Sequence, residues 1–328
     1  DQLEFVMTMP AVKAQMEDFT LEQIMSAINA KKSGGAADER PIKDAEFDAL
    51  SEARRELGTD VPEGDFYARS LPREVWDAPW MSSVERVVLV HRLREVVAQV
   101  GFTRFEAAGP DIRGELDMEV ERAPVGLDAS WLPAYENRGE GLFLQIKEEA
   151  IERWLAKDAV KNRDAQLQKG FSLWSKEHER TKRAYPGLPY FMLHSLSHLL
   201  LTAISLECGY PASSLRERVY ATPGRYGILI YTGSPDAEGT LGGLVEEGRR
   251  IKDHLRQALE MGALCSNDPV CAFHAPVEHD HQPLLGSACH GCLLISETSC
   301  EQHNDFLDRA VVVPTVEGLG AEFIGGWR

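Results

Sequence analysis

The period of the apolar positions changes several times along this chain, and those changes divide it. Over residues 1–62 the spacing is helical and the charge acidic. Thr20-Leu21-Glu22-Gln23 has the form of a capping box, and Leu21, Ile24, Met25 and Ile28 then recur three and four apart, as one face of a helix requires. A second helix is predicted after Pro41, with Phe47, Leu50, Arg54 and Leu57 on one stripe. Ser33-Gly34-Gly35-Ala36-Ala37-Asp38 reads as the connector between them. Past residue 64 the period becomes that of strands. Residues 66–68 and the β-branched run 84–90 predict strands, and 92–100 predicts a short helix before Gly101. Residues 131–136 and 141–146 predict two strands joined as a hairpin through Asn137-Arg138-Gly139-Glu140.

Helices are expected over 148–157 and 158–183. Pro186 and Pro189 then interrupt the chain ahead of an apolar helix over 190–208. Ser213 is read as the cap of a further short helix, 226–232 as a strand with an apolar centre, and 233–243 as a glycine-rich loop. A helix over 246–261 delivers the chain to Cys265. Strands and helices follow in no regular βα alternation, which points to an α+β fold: a mixed sheet with packed helices, closed by a C-terminal four-cysteine zinc-binding domain. The divisions expected are 1–62, an acidic helical region; 63–185, an α+β domain; and 186–328, the C-terminal zinc-binding domain.

That last expectation comes from the cysteines. Five of the six in the chain fall between Cys265 and Cys300. Cys289 and Cys292 form a C-x-x-C knuckle, whose turn directs two thiolates at one point, and a second pair from a nearby loop completes a tetrahedral shell for zinc. Cys265 and Cys271 are the expected second pair, with Cys300 in reserve, and His274, His279, His281 and His290 are imidazoles that could replace a thiolate. Buried core filler does not come five to so short a polar stretch, and a disulfide scaffold would be smaller and denser in cysteine. Four protein ligands leave no open position for an activated water, so such a site stabilises a fold rather than catalysing a reaction.

Composition narrows the partners. With 328 residues, 43% hydrophobic and 27% charged, the chain can bury an ample core. A formal net charge of −17 opposes non-specific attraction to a phosphate backbone, so contact with DNA must come through a local patch or a partner. Lys169, Lys176, Arg180, Lys182 and Arg183 make the most basic stretch and are the candidate DNA contacts; the alternative is a solvated helical face. No apolar run is read as long enough to cross a bilayer and no signal peptide opens the chain; with many reduced thiols this points to the cytoplasm.

Three weaker constellations remain. His194 and His198 stand one helical turn apart and could chelate a metal, but Ser195 stands where a zincin has its glutamate. The favoured reading is two histidines hydrogen-bonded inside a packed interface. The loop GSPDAEGTLGGLV has a strand before it and a helix after it, yet lacks the P-loop lysine, and Asp236 and Glu238 would repel phosphate. Glu136 and Lys147 are an incomplete echo of a nuclease site.

The run GSACHGCLLISETSCEQHNDFLDR resembles the C-terminal Cys-rich domain shared by DrmB-type subunits of DISARM antiphage defence and MrfA-type repair helicases. The positions that carry the resemblance are Cys289, Cys292, Cys300, Asn304, Leu307, Asp308 and Arg309. VHRLREV at 90–96, GFTR at 101–104, PAYENRGEGLFL at 133–144, HSLSHLLL at 194–201 and ILIYTGSPDAEGTLGGLV at 228–245 are similar too. The resemblance implies a non-catalytic zinc subunit that binds a DrmA-like DNA helicase and helps it engage DNA; the alternative is a metal-dependent nuclease or hydrolase. It also implies that Asn304, Asp308 and Arg309 close the zinc domain, tying a last helix to the knuckle. The chain opens Asp1-Gln2-Leu3 without methionine, and relatives of this kind carry a segment ahead of that point, so a fragment is expected.

Overall fold

Alternation of side chains along five strands decides the architecture. In the computed structural model, β1 (Phe66–Ser70), β2 (Val84–Ala98), β3 (Ala134–Ile146), β4 (Leu215–Thr222) and β5 (Arg225–Thr232) form one sheet in the order β1-β2-β3-β5-β4. The α+β class holds, and each of the four pairings is antiparallel where a mixed sheet was expected. The structure describes residues 20, 24–25, 40–53, 64–104, 112–114, 123–126, 131–178, 183–233, 243–276 and 281–328. Residues 1–41 and 42–328 are separate compact units. In the first, the Ile24 amide donates to the Thr20 carbonyl at 3.0 Å, a helical bond, while Leu21 to Gln23 lie outside the described residues.

Each strand sends alternate residues to opposite faces, so one sheet serves two cores. Val87 and Leu89 of β2, Leu142, Leu144 and Ile146 of β3, and Ile228 and Ile230 of β5 enter the larger core. Val88, Val90, Phe143, Tyr220 and Leu229, one position out of step, meet Phe47 and Leu50 of α1 (Ile42–Ser51) on the other face. The acidic character of α1 has a use there. Glu46 pairs with Arg218 at 2.9 Å, and Asp44 and Asp48 pair with Arg225 at 3.3 and 3.0 Å.

On the larger face α2 (Glu148–Leu155), α3 (Asp158–Glu177), α4 (Leu188–Cys208), α5 (Gly243–Gly248) and α6 (Ile251–Ala263) surround the core. The helix α4, 21 residues with an 18-residue stretch at mean hydropathy 1.3, is long and apolar enough to cross a membrane, contrary to the sequence reading. It is instead the central core helix, packed on β4, β5 and α6 with both histidines buried. An unbroken apolar helix suits the middle of a large core as well as it suits lipid.

Two expected elements are corrected. Residues 92–98 continue β2 rather than forming a helix, and 134–146 is a single strand rather than a hairpin. The two errors have one cause. Asn137-Arg138-Gly139-Glu140 has turn chemistry, but Leu93 to Glu95 pair with Gly139 to Asn137 across the ladder, and each long strand keeps the other extended. Asn137 is buried and donates to the Thr232 carbonyl at 3.0 Å, while the Glu140 amide donates to the Thr232 hydroxyl at 3.0 Å. Gly139 presses so closely on Thr232 that a Cβ there would collide with it. The 158–183 helix ends at Glu177, and the residues after Ser213 form only a 3-10 turn over Ala212–Ser214 before β4 begins. Strands from 63–185 and from 186–328 share this sheet, so the two spans meet in one core.

Candidate metal centre

After α6 the chain loses regular structure and is organised by side chains. Asp268 accepts from the Cys265 amide at 2.9 Å and the Ala272 amide at 3.2 Å, folding 265–272 into a tight loop. The C-x-x-C turn forms from the other side, with the Cys292 and Leu293 amides both donating to the Cys289 carbonyl at 3.0 Å. Gly291 lies inside that turn because a Cβ would meet Ser266 at 2.7 Å and the Cys265 sulfur at 3.3 Å.

The two loops bring the sulfurs of Cys265, Cys271, Cys289 and Cys292 within 4.8 Å of one another. Cys265 and Cys289 are 3.4 Å apart, Cys271 and Cys292 3.7 Å, and Cys289 and Cys292 3.8 Å. Zinc with four thiolates at about 2.3 Å in a tetrahedron requires sulfur separations of about 3.8 Å, so the donor set and its spacing fit that ion. No disulfide joins them. Burial pushes the Cys265 thiol up, but donors reach several of the sulfurs. Asn267 donates its amide to the Cys265 sulfur at 3.4 Å and its side chain to the Cys289 sulfur at 3.3 Å. A hydrogen bond from Cys292, and then the Arg309 guanidinium, bring the Cys271 thiol down to about 5. The Cys271 thiolate in turn pushes Cys292 up, as expected of two groups competing for one proton.

Arg309 and Asp308 hold this centre to the core, although the expected last helix is absent: they open a single 3-10 turn, Arg309–Val311. Arg309 bonds the Asp268 carboxylate and donates to the Gly262 carbonyl at 2.9 Å, linking the cysteine loop to the end of α6. Asp308 is wholly buried and accepts from Arg163 of α3 at 2.6 Å and from the Ser287 amide at 3.0 Å. Burial works against the Arg163 charge, but Asp308 outweighs it and leaves the Arg163 pKa raised. Asn304, in left-handed conformation at φ 65°, exchanges two bonds with the Ile295 backbone at 3.0 and 2.9 Å.

The remaining sequence candidates separate. Cys300 lies apart from the other four, against His194 and His198 of α4 and Glu217 of β4, all of them buried. Burial opposes charge on Glu217, but the two imidazoles outweigh it and hold the carboxyl well below its usual range. Sequence reasoning missed Glu217. The available signal was its place between Leu215 and Val219, which a strand puts on the same inward face. His274 donates from Nδ1 to the Gly286 carbonyl at 2.8 Å, and His279 lies outside the described residues.

Glu136 pairs with Arg94 at 2.9 Å and Arg138 at 2.6 Å, whereas Lys147 donates to the Ser82 carbonyl at 2.7 Å. Glu136 lies near the start of β3 and Lys147 just past its end, roughly 35 Å apart by strand rise, so the two do not form one nuclease site. Lys169 and Lys176 are exposed on α3; Arg183 is held by Asp305 at 2.7 Å and Gln302 at 3.0 Å and lies over the Phe306 ring. Arg180, Lys182, Asp236 and Glu238 lie outside the described residues.

The comparisons agree with this geometry in two steps. Residues 196–293 match the MZB family, the MrfA Zn-binding domain, and that span contains all four clustered cysteines. The chain therefore carries a zinc-binding domain of this class, with zinc as its cofactor. Across its length the chain resembles the DISARM protein DrmB of Bacillus paralicheniformis, with 35% identity over 315 residues covering 94% of this chain. The chain spans about half of that relative's length, 54%.

Proposed function

We propose that this chain is a zinc-stabilised, non-catalytic subunit of a DISARM-like antiphage defence complex. In this reading it binds a DrmA-like helicase and helps that motor engage DNA. The observation that carries the proposal is the coincidence of the four-cysteine cluster with the MrfA Zn-binding span inside a chain similar to DrmB. Cys265, Cys271, Cys289 and Cys292 are the proposed zinc ligands. A closed thiolate shell has no position for a substrate or an activated water, which suits a structural ion. Asn304, Asp308 and Arg309 secure the shell to the helical core. Thiolate ligands call for a reducing compartment, and we assign the subunit to the cytoplasm on that ground.

Lys169, Lys176, Arg180, Lys182 and Arg183 remain the proposed DNA-facing cations, with the net charge of −17 reserving DNA binding for the complex. Of these, Arg183 also serves the fold through Asp305, so Lys169 and Lys176 are the cleaner test.

The experiment is phage challenge of cells carrying the complete system, with Cys289→Ser in this subunit. Loss of the four-cysteine zinc together with loss of protection is expected, because metal-binding free energy at such a site is folding free energy. Full protection by a stable Cys289→Ser protein that has lost the zinc of the four-cysteine cluster would refute the proposal.

A further inference from the structure

A second group of donors lies deep in the core, outside the cysteine cluster. His194 and His198 project from adjacent turns of α4, Glu217 comes from the inward face of β4, and Cys300 from the segment after the knuckle. One ligand atom from each lies within 4.8 Å of all the others, and all four residues are buried. His194 Nε2 is 2.8 Å from Glu217 Oε1 and 3.1 Å from the Cys300 sulfur, and His198 Nε2 is 3.1 Å from the same carboxylate oxygen.

The proton count identifies what the hydrogen bonds leave open. His198 Nδ1 lies 2.8 Å from the Leu293 carbonyl, which can only accept, so Nδ1 carries the proton. In neutral His198 the Nε2 lone pair then faces a carboxylate oxygen, an arrangement that needs a cation between the two, either a second proton or a metal ion. His194 can meet Glu217 and Cys300 by donating from Nε2, while its buried Nδ1 has no hydrogen-bond partner. The carboxylate is already supplied by the Ser197 hydroxyl and by the Glu301 amide at 3.4 Å. The Cys300 sulfur accepts the Gln302 amide at 3.4 Å and the Asn304 amide at 3.1 Å, with His303 and Asn304 both at positive φ to aim that loop. Backbone amides converging on a buried sulfur favour a thiolate, and a histidine that donates its far nitrogen to a carbonyl is the usual support of a metal-bound imidazole. One carboxylate and one thiolate balance a dication, so the group would be neutral with a metal ion in place.

We propose that His194, His198, Glu217 and Cys300 bind a second structural metal ion, a zinc held by two nitrogens, one oxygen and one sulfur, which fastens α4 to β4 and to the 300–304 loop. Two imidazoles, a carboxylate and a thiolate form a tetrahedral donor set that zinc accepts, and four protein ligands close it. Only His198 and Glu217 of the four lie within the residues matched to the MrfA Zn-binding domain.

The test is metal analysis and zinc X-ray absorption on the unaltered protein, so that no variant need fold. Two zinc ions per chain, with a mean shell of about 2.5 sulfurs and 1.5 light atoms per zinc, are expected from one all-sulfur and one mixed site. Cys300→Ala should then lower zinc from two to one and leave an all-sulfur spectrum, whereas Cys289→Ser should leave the mixed spectrum. A single zinc in an all-sulfur shell would overturn the second site while leaving the four-cysteine site standing. A single zinc in a mixed shell would do the reverse.

Discussion

Asp308 shows how much one side chain can hold here. It takes an ion pair from Arg163 and a backbone amide from Ser287 with no exposure to solvent, and its own amide donates to the Ser195 hydroxyl of α4 at 2.7 Å. Asp308→Ala leaves the Arg163 guanidinium buried without its paired carboxylate, which should lower stability by about 3–5 kcal/mol in denaturant unfolding. An unchanged midpoint would mean that Arg163 finds another anion or water. At Cys271 the relevant variable is pH. Its thiol is depressed to about 5, so the thiolate that binds metal is present at neutral pH and is lost as pH falls through that value. Zinc retained after dialysis at stepped pH should be complete near neutrality and decline on acidification as protons compete for the thiolates, and Cys271→Ser should move that loss to higher pH. Retention indifferent to pH both in the parent and in Cys271→Ser would mean that this thiolate does not hold the metal. The four-cysteine cluster was legible in the sequence because its chemistry is local, a C-x-x-C turn and a second pair. Glu217 and Cys300 were not read as partners of His194 and His198, because nothing local joins a helix, a strand and a loop that meet only in the folded core.

Among the elements, α1 was legible as a helix but not in its use. The sequence shows its apolar stripe but not what covers it, whereas Phe47 packs edge-on against Phe143 at 5.5 Å and Tyr220 at 5.6 Å, closing the second face of the sheet. Phe47→Ala should therefore cost about 3–5 kcal/mol of stability, read as a lower thermal midpoint. A change within error would mean that α1 detaches in solution. The strands taught the opposite lesson. A four-residue stretch with good turn chemistry stays extended in β3 because β2 pairs with Asn137 to Gly139 and Thr232 of β5 bonds Asn137 and Glu140, and these bonds outweigh local preference. Residues 215–222 were missed as a strand for a related reason: Arg216, Glu217 and Arg218 look like surface, but each has a charged or imidazole partner in the structure.

For the whole molecule the governing fact is charge. Under the proposed function, an excess of acid would leave DNA affinity to local cations acting within an assembly. In a complex with its helicase, Lys169→Glu with Lys176→Glu should weaken DNA binding and flatten its dependence on salt, while assembly is unchanged. An unaltered salt slope would assign these lysines to a solvated face. The central claim is that the chain works as the zinc-bearing partner of a DNA motor, and affinity purification of the tagged protein from its own cells tests it most directly. The account predicts a helicase subunit in stoichiometric amount alongside zinc-loaded chain. Zinc-loaded, well-folded protein recovered without any helicase would contradict it.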